Sequence, residues 1–548
     1  MLKKPNIVLT MTDTQGVNVV DCYGRPEMRT PNIDKPAAEG IRFNNAYTYC
    51  PVCGVKNCMS GTKDRPNILI IMTEHQQGRT VDPNSPCRMP NVKERLARRG
   101  MRFKFGYTPT ALCAPARASF FTGLYPTAHG MYNNYHSLPV IHSGLFNGVS
   151  LFSEHLKKAG YNLSYIGKWH VSGEKSPADY GWHIPEGADF GPVGYPAPGR
   201  RKILWHRQIQ WEPPKSLKRY AIIRRKGWPA YILYGTRSGK LEDMMDFKRG
   251  NIAIKEIRRL SKESKPWVIF VGLTEIHDPY IVVEPYASMY DPEEVPLPEN
   301  YYDGMEDKPA IYRRMRRQLW SQLSEEQVKE AIAHYWGLCA MTDDIVGFIL
   351  DALEDTGVED NTLVLFTSDH GDQVGGHGLF LKGILPFEES YRIPMIVRWP
   401  HVIKPNSVCS EFVTLCDFAP TFREIAGTEA VEPCHGKSLL PIFHGKTPED
   451  WPKSFFGQFL GTEYYYTQRI IRNEHFKYVF NGFDFDELYD LKNDPYEMKN
   501  LAMNPDYEDV KAELIRDMWK WCEKTDDIIF DPYPTVALVP YGPKSADN

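Results

Sequence analysis

Two doublets in this 548-residue sequence pair an acid with an imidazole, and each follows an apolar run. Glu74-His75 comes after "RPNILIIMT" (65–73), and Asp369-His370 comes after "TLVLFTS" (362–368). Four such groups can supply oxygen and nitrogen to one cation. A second set, Arg117, Lys168, His170, His277, His377 and Lys382, is cationic or protonatable and can surround an anion. Cys113 stands in "TALCAPARASFF" (110–121), where a small-residue run opens a helix whose N-terminus favours negative charge. A cationic shell over a carboxylate-bound metal is what cleavage of a sulfate or phosphate ester requires. The anion is held, its developing charge neutralised and the leaving oxygen protonated. A plain core cysteine would explain neither Pro115 and Arg117 nor the recurrence of these groups after strands.

The elements that must position them alternate. The run 65–73 reads as a central parallel strand, and "NVKERLARRG" (91–100) as a short helix stopped by Gly100. A helix over roughly 149–159 leads to a strand ending at Lys168 and His170. A helix near 247–262 precedes the strand "PWVIFVGL" (266–273) and then His277. Ser324 and Gln327 form a capping box that opens a long helix running toward the strand 362–368. "IPMIVRWP" (393–400) is a further buried strand. Helix and strand in alternation predict an α/β sheet with a site along its carboxyl edge. The stretch 195–240, rich in Trp, Pro and Arg without a clear period, reads as an elaborated loop region over one end of the sheet. From about 454 short strands joined by polar turns, then a helix near 507–521, predict a smaller antiparallel domain. The expected divisions are 61–453 and 454–548.

Composition limits the alternatives. A net charge of -4 with 24% charged residues is that of an ordinary soluble protein, and no basic block suggests nucleic acid. No apolar run approaches the ~18 residues of a membrane span. "MLKKPNIVLTMTDTQG" (1–16) is interrupted by Asp13 and Gln15, so it reads as a buried strand and not as a signal peptide. That favours the cytoplasm, with the periplasm or secretion left open if translation starts elsewhere. The 11 cysteines include a C-x2-C-x4-C spacing at Cys50, Cys53 and Cys58, but no second knuckle completes a zinc site. Free thiols in a reducing compartment are the plainer reading.

The front of the chain repeats. "KPNIVLTMTDTQG" (4–16) matches "RPNILIIMTEHQQG" (65–78), and "TPNIDKPAAEGIRFNNAYTYCPVC" (30–53) matches "MPNVKERLARRGMRFKFGYTPTALC" (89–113). Cys53 thus aligns with Cys113, but "CGVKN" (53–57) has neither the proline nor the arginine. Pro36 also falls where the second copy has mid-helix Leu96, and an interior proline costs about 3 kcal/mol. Residues 1–60 read as a truncated, non-catalytic duplicate.

With these residues in view, the chain resembles the type I sulfatases of the alkaline-phosphatase-like superfamily over roughly 64–505. "CAPAR" (113–117) is similar to the C-x-P-x-R signature, and "GLYPTAHG" (123–130), "GKWH" (167–170), "HDPY" (277–280), "TSDHGDQVGGHGLFLKG" (367–383) and "ELYDLKNDPYEMKNLA" (487–502) resemble further family blocks. The resemblance implies a large mixed sheet flanked by helices, with a smaller C-terminal α+β domain. It implies that a separate maturation enzyme oxidises Cys113 to formylglycine, which hydrates to a geminal diol. One hydroxyl attacks sulfur in line, and the alcohol leaves with help from His277 and Lys382. The second hydroxyl, aided by His170, expels sulfate, while Arg117 and Lys168 hold diol and sulfate oxygens. Calcium is the implied ion, with Glu74, His75, Cys113, Asp369 and His370 as ligands. The chain departs from the family at Glu74-His75, where two aspartates, Asp-Gln or Asp-Thr are usual; the added nitrogen donor also suits manganese or zinc. His377, between the second doublet and Lys382, is expected to touch substrate, and His129 to hold the 125–130 turn. The implied substrate is a sulfated small molecule or glycan, and the sequence leaves a homo-oligomer open. Two alternatives stand beside this reading. One is a phosphonate or phosphate diester hydrolase of the same superfamily, whose members resemble one another in lacking the Lys-x-His of "GKWH". The other is a binding protein descended from a decayed enzyme.

Overall fold

The computed structural model describes residues 65–136, 142–191, 213–225, 230–462 and 466–529. The duplicate read at 1–60 lies outside them. The strands in chain order are β1 (Asn67–Thr73), β2 (Met101–Tyr107), β3 (Asn162–Gly167), β4 (Leu217–Ile223), β5 (Tyr231–Arg237), β6 (Trp267–Gly272) and β7 (Tyr280–Val282). They continue with β8 (Thr362–Ser368), β9 (Met395–Arg398), β10 (Ser407–Thr414), β11 (Phe455–Phe459), β12 (Gln468–Arg472), β13 (Phe476–Asn481) and β14 (Glu487–Asp490).

Seven of them form the central sheet, in the order β10-β2-β9-β8-β1-β6-β3. All neighbours run parallel except β9, which is antiparallel to both β8 and β2. The sheet is therefore mixed, and β1, β2, β3, β6 and β8 all end at one edge. The continuous apolar runs follow from burial on both faces. Along β1, Leu69 and Ile71 enter one core while Ile68, Ile70 and Met72 enter the other. β6 and β8 divide in the same way: Ile269, Val271, Val364 and Phe366 face one side, and Val268, Phe270, Leu363 and Leu365 the other. The helices Met245–Leu260 and Glu325–Asp355 cover the first face. The helices Cys113–Thr122, Phe152–Lys158 and Phe418–Ile425 cover the second. The long helix starts at the predicted box: Gln327 N donates to Ser324 Oγ at 3.3 Å, and Ser324 N to Gln327 Oε1 at 3.0 Å.

The four strands β11-β12-β13-β14 form an antiparallel sheet. The helix Glu508–Lys524 packs Leu514, Ile515, Met518 and Trp519 against Phe456, Ile471, Tyr478 and Phe480 of that sheet. Gln458 of β11 ties it to the segment that carries Cys113. Its N–H donates to Pro109 O at 2.9 Å and its Oε1 accepts from Thr127 N at 3.2 Å.

One expectation fails within 195–240. β4 and β5 pair there as an antiparallel ribbon, and β5 adds the short parallel β7 to make a third sheet. Register shifts between Lys218 and Ala221 interrupt the pairing, and such irregularity breaks the period-2 pattern by which a strand is read.

Candidate active site

Strand ends deliver the site. Glu74 and His75 follow β1, Lys168 follows β3, His277 follows β6, and Asp369 and His370 follow β8. The turn into Lys168 depends on Gly167, at φ +86°, where an added Cβ would lie 2.0 Å from Gly272 O. After β2 the chain enters the wholly buried helix Cys113–Thr122, whose Ala114 N–H donates to Asn134 Oδ1 at 3.0 Å. The spacing C-x-P-x-R acquires its reason here. Pro115 sits in the first turn, where a missing N–H costs nothing, and Arg117 lies one turn beyond Cys113 on the same face.

The side chains converge. Cys113 Sγ lies 3.3 Å from Glu74 Oε1 and 3.2 Å from His370 Nε2. Arg117 Nε donates to Asp369 Oδ2 at 2.9 Å and its Nη1 to Lys168 O at 2.9 Å. Lys168 Nζ pairs with Glu74, and Lys382 Nζ contacts both His75 Nε2 and, at 3.1 Å, His277 Nε2. His170 Nε2 lies 3.0 Å from His136 Nδ1. His75 and His170 hold φ of 59° and 53°, a left-handed backbone costing a non-glycine residue of order 1 kcal/mol or more. Tyr335 secures that of His75 by donating its hydroxyl to His75 O at 2.8 Å.

Charge is balanced within the cluster. Burial alone would raise the Glu74 pKa, but Lys168, His277, Arg117 and Lys382 hold it well below the carboxylate range. Burial raises the Cys113 thiol more than Lys168 lowers it, so the unmodified side chain is a neutral thiol and a poor nucleophile. Burial, then Lys168 and His136, push His170 well below the ordinary histidine value and leave it neutral. His277 moves the other way: against desolvation, Asp278 and then Glu74 raise it to about 10. Its Nδ1 lies 2.6 Å from Asp278 O and 3.1 Å from Asp278 Oδ1, which aims Nε2 into the cluster.

Donor atoms of Glu74, His75, Cys113 and His277 lie within 4.8 Å of one another, as do those of Cys113, Asp369 and His370. These two groups of buried acids, imidazoles and a thiol, which share Cys113, form a divalent-metal site. Asp372 Oδ2 holds the Nδ1 of His75 at 2.9 Å, which turns its Nε2 into the cluster toward Lys382 Nζ. Sequence reasoning missed Asp278, Asp372 and His136. Asp278 and Asp372 lie inside the quoted blocks "HDPY" and "TSDHGDQ", but nothing in a sequence says which neighbour of a ligand will face it.

His377 is not brought into this cluster. It is fully buried, stacks on Phe387 with ring centroids 3.8 Å apart, and its Nδ1 bonds Asp303 Oδ2 at 2.7 Å. His129 takes the expected structural place: Met131 N–H donates to its Nδ1 at 3.1 Å, and Ser119 Oγ lies 3.0 Å from Nε2.

The fold and the site define a metal-assisted ester hydrolase. The sulfatase family model matches residues 5–56 and 66–428, and the model of the N-sulphoglucosamine sulphohydrolase C-terminal region matches 375–524. The chain belongs to the sulfatase family, within the alkaline-phosphatase-like superfamily, and hydrolyses sulfate esters. It is 30% identical over 471 residues to the choline-sulfatase of Rhizobium meliloti, covering 81% of this chain and 84% of that one. It is 24% identical over 582 residues to the N-acetylglucosamine-6-O-sulfatase of Bacteroides thetaiotaomicron, covering 94% and 85%. Among solved structures it is similar to the phosphonate monoester hydrolase of Agrobacterium radiobacter, with a TM-score of 0.67 and 23% identity over 84% of this chain and 96% of that one. Among the described residues no helix is long and apolar enough to cross a membrane.

Proposed function

We propose that this sulfatase works through formylglycine at position 113 and acts on a sulfated sugar. The observation that carries the first part is the place of Cys113, buried at the centre of the charged cluster between Glu74 Oε1 and His370 Nε2. An aldehyde hydrate there offers two hydroxyls. One attacks sulfur as the S–O bond to the alcohol breaks; the second loses its proton to neutral His170 as the aldehyde re-forms and sulfate leaves. His277, held protonated and steered by Asp278, gives a proton to the leaving oxygen with Lys382 beside it. Arg117 and Lys168 hold the oxygens of the reacting group. A divalent ion, calcium by family resemblance, would be held by Glu74, His75, Asp369, His370 and residue 113, and would withdraw charge from the sulfate oxygens. The adjoining cavity supports the second part. It encloses about 570 Å³, with Asp189, Arg237, Glu275 and Asp278 among its walls. These side chains suit sugar hydroxyls, whereas a quaternary ammonium calls for Trp, Tyr or Phe walls, and none of these is among the described residues lining it.

The mass of the peptide containing Cys113, from a host with formylglycine-generating activity, tests the mechanism. The aldehyde or its hydrate is expected at Cys113 and an unmodified thiol at Cys53. An unmodified Cys113 where a control sulfatase is matured would exclude it. Comparing turnover of sulfated monosaccharides with choline sulfate then tests the substrate class.

The proton-donor role of His277 makes a pH prediction. Protonation is needed for activity, and the pKa lies near 10, so kcat/KM should hold through the ordinary histidine range and fall only at higher pH. His277→Gln should lower kcat/KM by roughly 10²–10⁴-fold and flatten that alkaline limb. An alkaline limb that persists in the variant would assign the proton to another group.

The match of the family model to 5–56 as well as 66–428 supports the reading of 1–60 as a truncated copy.

A further inference from the structure

A second cavity, of about 420 Å³, shares no lining residue with the one beside Cys113. Five cationic side chains line it, Arg79, Arg102, Lys104, Arg392 and Arg472, against two acidic ones, Asp82 and Glu388. The two carboxylates are already engaged. Asp82 accepts from Arg392 Nη1 and Nη2 at 2.9 and 2.6 Å, with Arg102 at 3.6 Å. Glu388 accepts from Tyr107 OH at 2.6 Å and lies 3.4 Å from Lys477 Nζ and 3.5 Å from Arg472 Nε. Arg79 takes Glu389, which stands outside the lining, at 3.0 Å. Lys104 is exposed, with its ammonium 4.7 Å from the Phe105 ring centroid.

Arg472 is the built part. It is 6% exposed, and its guanidinium lies 4.7 Å from the ring centroid of Phe105, 5.2 Å from that of Phe412 and 5.5 Å from that of Tyr107. Its Nη1 donates to Asn473 O at 3.0 Å, while Nε makes no hydrogen bond among the described residues. Stacking of this kind fixes the planar fork before any ligand arrives. Five cationic side chains against two carboxylates leave the lining net positive, a charge that a bound anion would offset.

We propose that this cavity is an oxyanion-binding site separate from the reaction centre. It takes a sulfate or carboxylate group through charge-assisted bonds from Arg102, Lys104 and Arg472 Nη2. The group is either a free ion or one carried on a larger molecule.

Equilibrium dialysis of the full chain against labelled inorganic sulfate, and separately against a labelled disulfated disaccharide, tests this. Wild type is compared with Lys104→Glu, an exposed position, and with the Arg102→Ser/Lys104→Ser pair. For at least one probe, affinity at one site should fall roughly tenfold or more in both variants. Turnover of a small sulfate ester should stay unchanged. A response with inorganic sulfate identifies a free ion, and one confined to the disaccharide identifies a group on a larger molecule. Equal binding of both probes by all three proteins would overturn the proposal. Because the readout is binding away from Cys113, that result would leave the sulfatase reading intact.

Discussion

Cys113→Ala is expected to lower kcat/KM on any sulfate ester by at least roughly 10⁴-fold, because it removes the reacting group itself. The fold should hardly register the change. The group lost from position 113 lies among residues packed by their own elements, and a truncation this small in a closed layer costs about 1 kcal/mol. The pairing of a very large kinetic effect with a small thermal shift is the signature. Cys113→Ser should be equally inactive, since a lone hydroxyl lacks the second one that releases sulfate. Steady-state turnover of the serine variant above roughly a tenth of the wild-type rate would sink the two-hydroxyl mechanism.

Arg117→Ala should damage both activity and stability. Arg117 and Asp369 are each fully buried and bonded at 2.9 Å, so removing the cation strands a carboxylate in a dry interior. Breaking one side of such a pair costs about 3–5 kcal/mol. The urea midpoint should fall accordingly, and activity should fall with it because the guanidinium also grips the carbonyl of Lys168. The double variant Arg117→Ala/Asp369→Asn separates the two effects. Removing the stranded charge should recover part of the stability and none of the activity. If the double variant proves no more stable than the single one, the buried pair is not what holds this part of the fold.

Glu74, His75, Lys168, Asp369 and His370 were legible because they follow apolar runs, and Cys113 and Arg117 because of their C-x-P-x-R spacing. A strand buried on both faces has no freedom to be polar until it ends, so Glu74, Lys168 and Asp369 stand out as breaks. β4 and β5 escaped because their bulged, half-exposed pairing imposes no such rule. The assignment of His377 shows another limit. Its place in "GGHGLFLKG" (375–383) puts it near Lys382 in the chain, but its left-handed backbone, φ 52°, turns it toward Asp303 and Phe387. Nearness in sequence does not survive such a turn. The carboxylates behind His75 and His277 were invisible for a related reason: only the folded chain brings Asp372 and Asp278 to the Nδ1 of those rings.

The central strand β1 sits between β6 and β8, pairing Leu69 with both Ile269 and Val364. On the ribosome it is among the first apolar segments of this region to emerge, yet both of its neighbours are made far later. For most of synthesis the strand that will carry Glu74 has no lasting place to go. Nascent chains of this kind fold slowly and tend to aggregate, and they depend on chaperones until the last neighbour appears. The yield of active protein should therefore depend more on translation rate and chaperone supply than on the stability of the finished fold.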